Sequence, residues 1–308
     1  MCLVAFAINS SERWPLVIAA NRDEFLSRPT LPLSRWHGAS GQEIISGRDL
    51  QAGGTWLGIT PGGRVAFLTN VREAQAPAAP RSRGELVTRW LEASGDARDF
   101  ARALEQDGAA YGGFNLVLGD FQRNAWSWLS NRHGGTSTLL LQGLAPGVYG
   151  LSNAALNTPW PKTTALQRVL ADALTSQAHA PAPDALQVRL WTALASRDRA
   201  ALEHLPATGV PQAMEQALSS AFVDVPERAY GTRSSTVLLA CARDNRENVR
   251  RWDVQVQERT HLRAIDKTGH GAADALLVRN ELIAWQQSGK IPTAGPERLT
   301  ESAGEPLL

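Results

Sequence analysis

MCLVAFAINSSERWPLVIAANRDEF, residues 1–25, decides the fold. Two apolar runs, 3–8 (LVAFAI) and 16–20 (LVIAA), have strand length and are joined by the polar, turn-rich Asn9–Pro15. They predict an antiparallel hairpin centred near residue 11, which sets Cys2 close to Ala20–Asn21. Arg22 and Asp23 then fall within a few residues of the thiol. A guanidinium there favours thiolate, and a carboxylate can orient an α-ammonium group. Successive side chains on a strand alternate faces. A regular strand therefore sends only one of this adjacent pair toward Cys2, and both serve it only if the strand ends or bulges.

Cys2 follows the initiator Met, where a small residue is ordinary, and Asn21-Arg22-Asp23-Glu24 read alone is a charged strand end. The chemistry of the position gives it a second meaning. Removal of Met1 leaves a thiol and a free α-amine on one residue. That amine, with a pKa of about 7.7–8.0, can take the thiol proton near neutral pH. Nucleophile and base then come from the same residue.

Outward from the hairpin, strands are predicted at 43–46, 55–60 and 63–69, punctuated by Gly53-Gly54 and Pro61-Gly62-Gly63. Residues 74–80 (AQAPAAP) read as a loop. From Ser82 the period becomes helical, with Leu86, Val87, Trp90 and Leu91 on one stripe and a short helix over 99–106. Strands return at 114–120, 124–130, 136–142 and 147–152. A helical block spans about 160–223, with stripes Leu166/Val169/Leu170/Leu174, Leu186/Leu190/Trp191/Leu194 behind an Asp184 N-cap, and Met214/Ala217/Leu218/Phe222. Strands at 235–242 and 248–258 follow. Short connections between strands, with helices in two blocks, predict mostly antiparallel sheets covered by helices. Residues 261–290 form an extension with no fold assigned, and 291–308 read as a flexible polar tail.

Composition is that of a folded chain, with 43% hydrophobic and 20% charged residues. The net charge of +1 and the lack of a dense basic run point away from nucleic acid or anionic membrane as partner. Apolar stretches are too short for an integral membrane segment, and the N-terminus lacks a signal-peptide pattern. Two cysteines, Cys2 and Cys241, make no disulfide framework, so a reduced, cytoplasmic protein is expected. None of the six His sits at metal-site spacing, so no metal and no cofactor are expected. Nothing in the sequence sets the oligomeric state.

A family likeness runs from residue 1 to about 240. Met1-Cys2, Asn21-Arg22-Asp23-Glu24, Gly53-Gly54-Thr55-Trp56-Leu57-Gly58, Leu68-Thr69-Asn70, Ser82-Arg83-Gly84-Glu85-Leu86, Tyr111-Gly112-Gly113-Phe114-Asn115-Leu116, Tyr149-Gly150-Leu151-Ser152-Asn153-Ala154, Trp160-Pro161-Lys162 and Tyr230-Gly231-Thr232-Arg233-Ser234 occur in order. The set resembles the NRDE family, which includes the transport and Golgi organisation protein 2 homologues.

The resemblance implies an α+β fold, a four-layer αββα sandwich of two mostly antiparallel sheets of the N-terminal-nucleophile hydrolase kind, as a single domain over 1–260. Bile-salt and penicillin V acylases share that fold class. By order and context, Cys2, Arg22, Asp23, Asn70, Asn153 and Arg233 are the nearest matches to their catalytic set. The implied activity is cleavage of a small amide by Cys2, or transfer of its acyl group. Asn70 and Asn153 would supply oxyanion donors, Arg233 would hold the network or a substrate carboxylate, and Trp56 would wall the pocket. One oxyanion donor is worth on the order of 3 kcal/mol of barrier. The alternative implied by the family is a non-enzymatic carrier of haem or of lipid or acyl-CoA; for haem, Cys2 would serve as a thiolate ligand.

Overall fold

The computed structural model describes residues 2–74, 78–132, 138–176, 183–243, 250–265 and 271–287. The expected tail at 291–308, parts of the expected strands at 136–142 and 248–258, residues 75–77 of the loop, His133, His179, His270 and the Asp184 side chain lie outside the described residues.

The N-terminal hairpin consists of β1 (Cys2–Ile8) and β2 (Leu16–Phe25). Ile8 faces Leu16, so the turn is centred one residue later than predicted. Cys2 consequently lies directly opposite Arg22 rather than Ala20–Asn21.

The chain continues through β3 (Thr30–His37), β4 (Glu43–Asp49), β5 (Leu57–Ile59) and β6 (Arg64–Asn70), then α1 (Gly84–Glu92) and α2 (Ala97–Glu105). Next come β7 (Phe114–Asp120), β8 (Ala125–Ser130), β9 (Leu140–Gly143), β10 (Gly147–Leu151), α3 (Pro161–Ser176), α4 (Pro183–Leu194) and α5 (Gln212–Ala217). The final elements are β11 (Asp224–Val225), β12 (Tyr230–Ala242), β13 (Arg250–Ile265) and β14 (Gly271–Gln287).

These strands form two antiparallel sheets. One runs β10-β1-β2-β12-β13-β14 with β11 beside β12, and the other runs β3 to β9 in chain order.

Three apolar clusters establish the layers. Val4, Phe6, Ile18 and Leu238 of the first sheet meet Ile45, Ile59, Phe67 and Val117 of the second, giving the central ββ layer. On the outer face of the first sheet, small residues Ala5, Ala7 and Ala19 let Leu166 and Leu170 of α3 and Leu186 and Leu190 of α4 approach. On the outer face of the second, Ala66, Leu116 and Leu118 pack against Leu86, Trp90 and Leu104 of α1 and α2. The fold is α+β with αββα layer order, as the resemblance implies. Among the described residues no helix is long and apolar enough to cross a membrane.

Three elements differ from the reading of the sequence. The stripe through Phe222 is not one helix: α5 stops at Ala217, where Ser219 donates back to the Gln216 carbonyl and Ser220 donates forward to the Phe222 carbonyl, both competing with helix continuation. β3 had no predicted counterpart. Residues 271–287 form β14, paired to β13 from Arg250–Gln287 to Ile265–Gly271.

Candidate active site

Side chains directly opposite in an antiparallel pair share a face, so Cys2 and Arg22 point the same way. That face is the inter-sheet one, continuing the row Val4, Phe6 and Ile8. Beyond Cys2 the apolar filling stops and a cavity of about 520 Å³ opens, lined by Cys2, Arg22, Trp56, Leu68, Asn70 and Arg83 among others. Cys2 is buried, with 8% of its surface exposed, and is among the residues that line this cavity.

Arg22 is buried and lies over Trp56, 4.4 Å from its centroid, with Glu24 at 3.6 Å and Asp49 at 3.9 Å. Its Nη1 has no hydrogen-bond partner among the described residues. The wall that carries Trp56 is set by a close backbone approach. A Cβ on Gly54 would stand 2.5 Å from the Gly84 carbonyl carbon, so Gly54 lets the start of α1 rest against the loop. Burial pushes the Cys2 thiol up, Asp23 and Glu24 push it further, and Arg22 draws it down.

β2 stays regular through Phe25, and the register shift lies instead in β12, between Thr232 and Ser234. Arg22 and Asp23 therefore take opposite faces, and only Arg22 shares the face of the thiol. Asp23 turns toward the helical layer, where its Oδ1 accepts from Thr232 Oγ1 at 2.7 Å. Lys162 of α3 is buried there and donates from Nζ to the Leu218 carbonyl at 2.9 Å. Burial raises the Asp23 carboxyl, partly countered by Lys162. Burial also pulls Lys162 down to about 8, against the opposing pull of Asp23. In both groups desolvation outweighs mutual attraction.

Asn70 ends β6 and lines the cavity. Asn153 does not: its Nδ2 donates to the Asn70 carbonyl at 2.8 Å, and its own carbonyl accepts from Arg72 N at 2.8 Å. Its neighbour Ser152 donates to the Cys2 carbonyl at 3.1 Å. This segment braces Cys2 and Asn70 from behind. Arg233 occupies the β12 irregularity, and its Nη1 donates to the carbonyls of Phe25, Leu26 and Arg28 at 2.9, 2.9 and 3.0 Å. It holds the turn after β2 and is not among the cavity-lining residues.

The structure thus brings Cys2, Arg22, Asn70 and Trp56 together, with Asp23 behind the strand, Asn153 as a brace and Arg233 at the turn. Sequence reasoning assigned no role to Lys162, Arg83 or Asp49. Lys162 and Arg83 sit inside motifs already quoted, but nothing local distinguishes them from solvent-facing charges.

No group of three or more His, Cys, Asp or Glu suited to a metal ion occurs among the described residues. For haem, Cys2 is the one side chain of axial-ligand type bordering the cavity among the described residues.

A family model described as Transport and Golgi organisation 2 matches residues 1–257. The Transport and Golgi organization protein 2 homolog of Bos taurus is 35% identical over 254 residues, covering 79% of this chain and 89% of that protein. The Homo sapiens homolog is 34% identical with the same coverage. The Drosophila melanogaster protein is 26% identical, covering 78% and 87%. Among solved structures, a Caenorhabditis elegans N-acylethanolamine-hydrolyzing acid amidase ortholog superposes with a TM-score of 0.38 at 12% identity, covering 77% of this chain and 92% of that one. A conjugated bile acid hydrolase mutant from Clostridium perfringens gives 0.39 at 8% identity, covering 93% and 97%. The layer order stands on the chain's own three apolar clusters.

Proposed function

The chain belongs to the Transport and Golgi organisation 2 family, and we propose that it is a hydrolase or acyl transferase that opens a small amide with Cys2. The observation that carries this reading is the placement of the Cys2 thiol, opposite Arg22, at the border of the inter-sheet cavity.

In this reading Met1 is removed and the α-amine of Cys2 accepts the thiol proton. Sγ attacks the amide carbon, forming the S–C bond and sending the carbonyl electrons onto oxygen. Asn70, an amide donor lining the cavity, is assigned to that oxygen. Collapse breaks the C–N bond, and the α-ammonium returns its proton to the departing amine. The resulting thioester is attacked by water, or by an acceptor nucleophile, which releases the acyl group and restores the thiol.

Arg22 favours thiolate at the moment of attack. Asp23, its Oδ1 accepting from Thr232, sets a carboxyl group behind the strand to orient the α-ammonium.

The test has two parts. Intact mass must show loss of Met1, and incubation with a pool of N-acyl compounds must leave an acyl adduct on the N-terminal peptide. Retained Met1, or an adduct that persists in Cys2→Ala, refutes the reading.

A further inference from the structure

We propose that the compound taken at Cys2 is an anion and that Arg83 is the residue that recognises its charge. The inference rests on the reading of Cys2 as nucleophile and names the substrate class of that site.

Four arginines border the cavity, and three are already engaged. Arg28 donates to Asp49 at 2.7 Å, and Arg81 is paired with Glu85 and Asp107. Arg22 lies on Trp56 with Glu24 and Asp49 nearby. Arg83, immediately before α1, stands apart. Its guanidinium makes one hydrogen bond among the described residues, from Nη1 to the Gly113 carbonyl at 3.2 Å, and no carboxylate lies at ion-pair distance. An arginine offers five N–H donors in a planar fork, so most of that capacity has no acceptor among the described residues.

Charge bookkeeping within the cavity points the same way. Glu24 and Asp49 are shared between Arg22 and Arg28, while Asp23, which also lines the cavity, accepts from Thr232 through its Oδ1. The buried Nη1 of Arg22, which also lines the cavity, has no hydrogen-bond partner among the described residues and adds a second donor. A neutral ligand filling this space would strip water from the Arg83 cation and return at most uncharged acceptors, with no countercharge. A carboxylate, phosphate or sulfonate replaces that water with charge-assisted hydrogen bonds, and the fork matches such oxygens two at a time. The substrate class is therefore an N-acyl compound bearing one such group.

The full chain lacking Met1 is alkylated with iodoacetate and, separately, with neutral iodoacetamide. In each case the Cys2 sulfur displaces iodide, and adducts on the N-terminal peptide are read by mass spectrometry. The ratio of the two rates cancels any change in the thiol itself. We expect Cys2 to favour iodoacetate by about tenfold relative to a free cysteine under the same conditions. Arg83→Gln is expected to lose most of that preference and Arg83→Lys to retain it. A ratio equal to that of free cysteine, or one unmoved by Arg83→Gln in a protein whose circular dichroism is unchanged, overturns the inference.

The second arm compares acyl capture from matched amides with and without a carboxylate on the amine. Capture without charge preference defeats the anion site and leaves the hydrolase reading. No capture alongside an Arg83-dependent iodoacetate preference defeats the hydrolase reading and leaves the anion site.

Discussion

Lys162 lies in the first turn of α3, buried against the first sheet, with Nζ on the Leu218 carbonyl and Asp23 as its counter-charge. Burial takes its pKa from 10.5 down to about 8. Between those two values the unfolded chain holds a proton that the folded chain has released, so stability rises with pH through that window and is lowest below it. The whole span corresponds to about 3 kcal/mol, and the stretch from pH 7.5 to pH 9 to about 1 kcal/mol. Pushing further brings in opposing groups. Cys2 and Tyr230 are shifted upward by burial, so each favours the folded state below its ordinary value and loses that contribution as pH climbs past it. Urea denaturation of the wild type at pH 7.5 and pH 9 should therefore show the rise. Lys162→Met should remove the rise, whatever it does to absolute stability. Equal pH trends in the two proteins, or a wild type that weakens between these pH values, would refute a buried, readily deprotonated Lys162.

Arg22→Ala should slow iodoacetamide labelling of Cys2 at pH 7 by about tenfold, the effect of a one-unit rise in thiol pKa, and displace the pH–rate profile upward. An unmoved profile separates Arg22 from the thiol. Asn153→Ala, which removes the bond to the Asn70 carbonyl, should lower kcat for amide cleavage by about tenfold with KM unchanged. A rise in KM instead would put Asn153 in contact with substrate. Glu215→Gln leaves the buried Arg72 guanidinium without its countercharge, at a cost of about 3–5 kcal/mol. An unchanged thermal midpoint would contradict that pairing.

The legible parts of the fold were those with a repeating apolar pattern. β1 and β2 are buried throughout their apolar runs, and the turn between them carries Asn9 at a φ of 47°, a conformation Asn tolerates. β3 was invisible because it is an edge strand burying only Leu33 beside Pro32, which leaves no period to detect. β14 was invisible for the opposite reason. It carries apolar residues on both faces, with Trp285 in the core and Leu276, Val278 and Leu282 exposed, so alternation is erased.

At the site, the pairing of Cys2 with Arg22 followed from one hairpin, a local matter, although the register had to come from the structure. Which of Arg22 and Asp23 faces the thiol was decided by the regularity of β2, which sequence cannot certify. Lys162 and Arg83 become significant only through distant packing: α3 against the first sheet, and the start of α1 against Gly54 and Gly113.

The family match ends at residue 257, yet Trp285 is 2% exposed, lies 4.6 Å from Phe121 between ring centroids and donates to the Thr60 carbonyl at 3.0 Å. Kinship and folding unit thus have different borders. A shortened polypeptide cut where the likeness stops would lose an indole that wedges the two sheets at their far end. The gap left behind is worth about 3–5 kcal/mol by the usual cost of deleting a core aromatic, enough to spoil expression of a truncated version whose Cys2 end is intact.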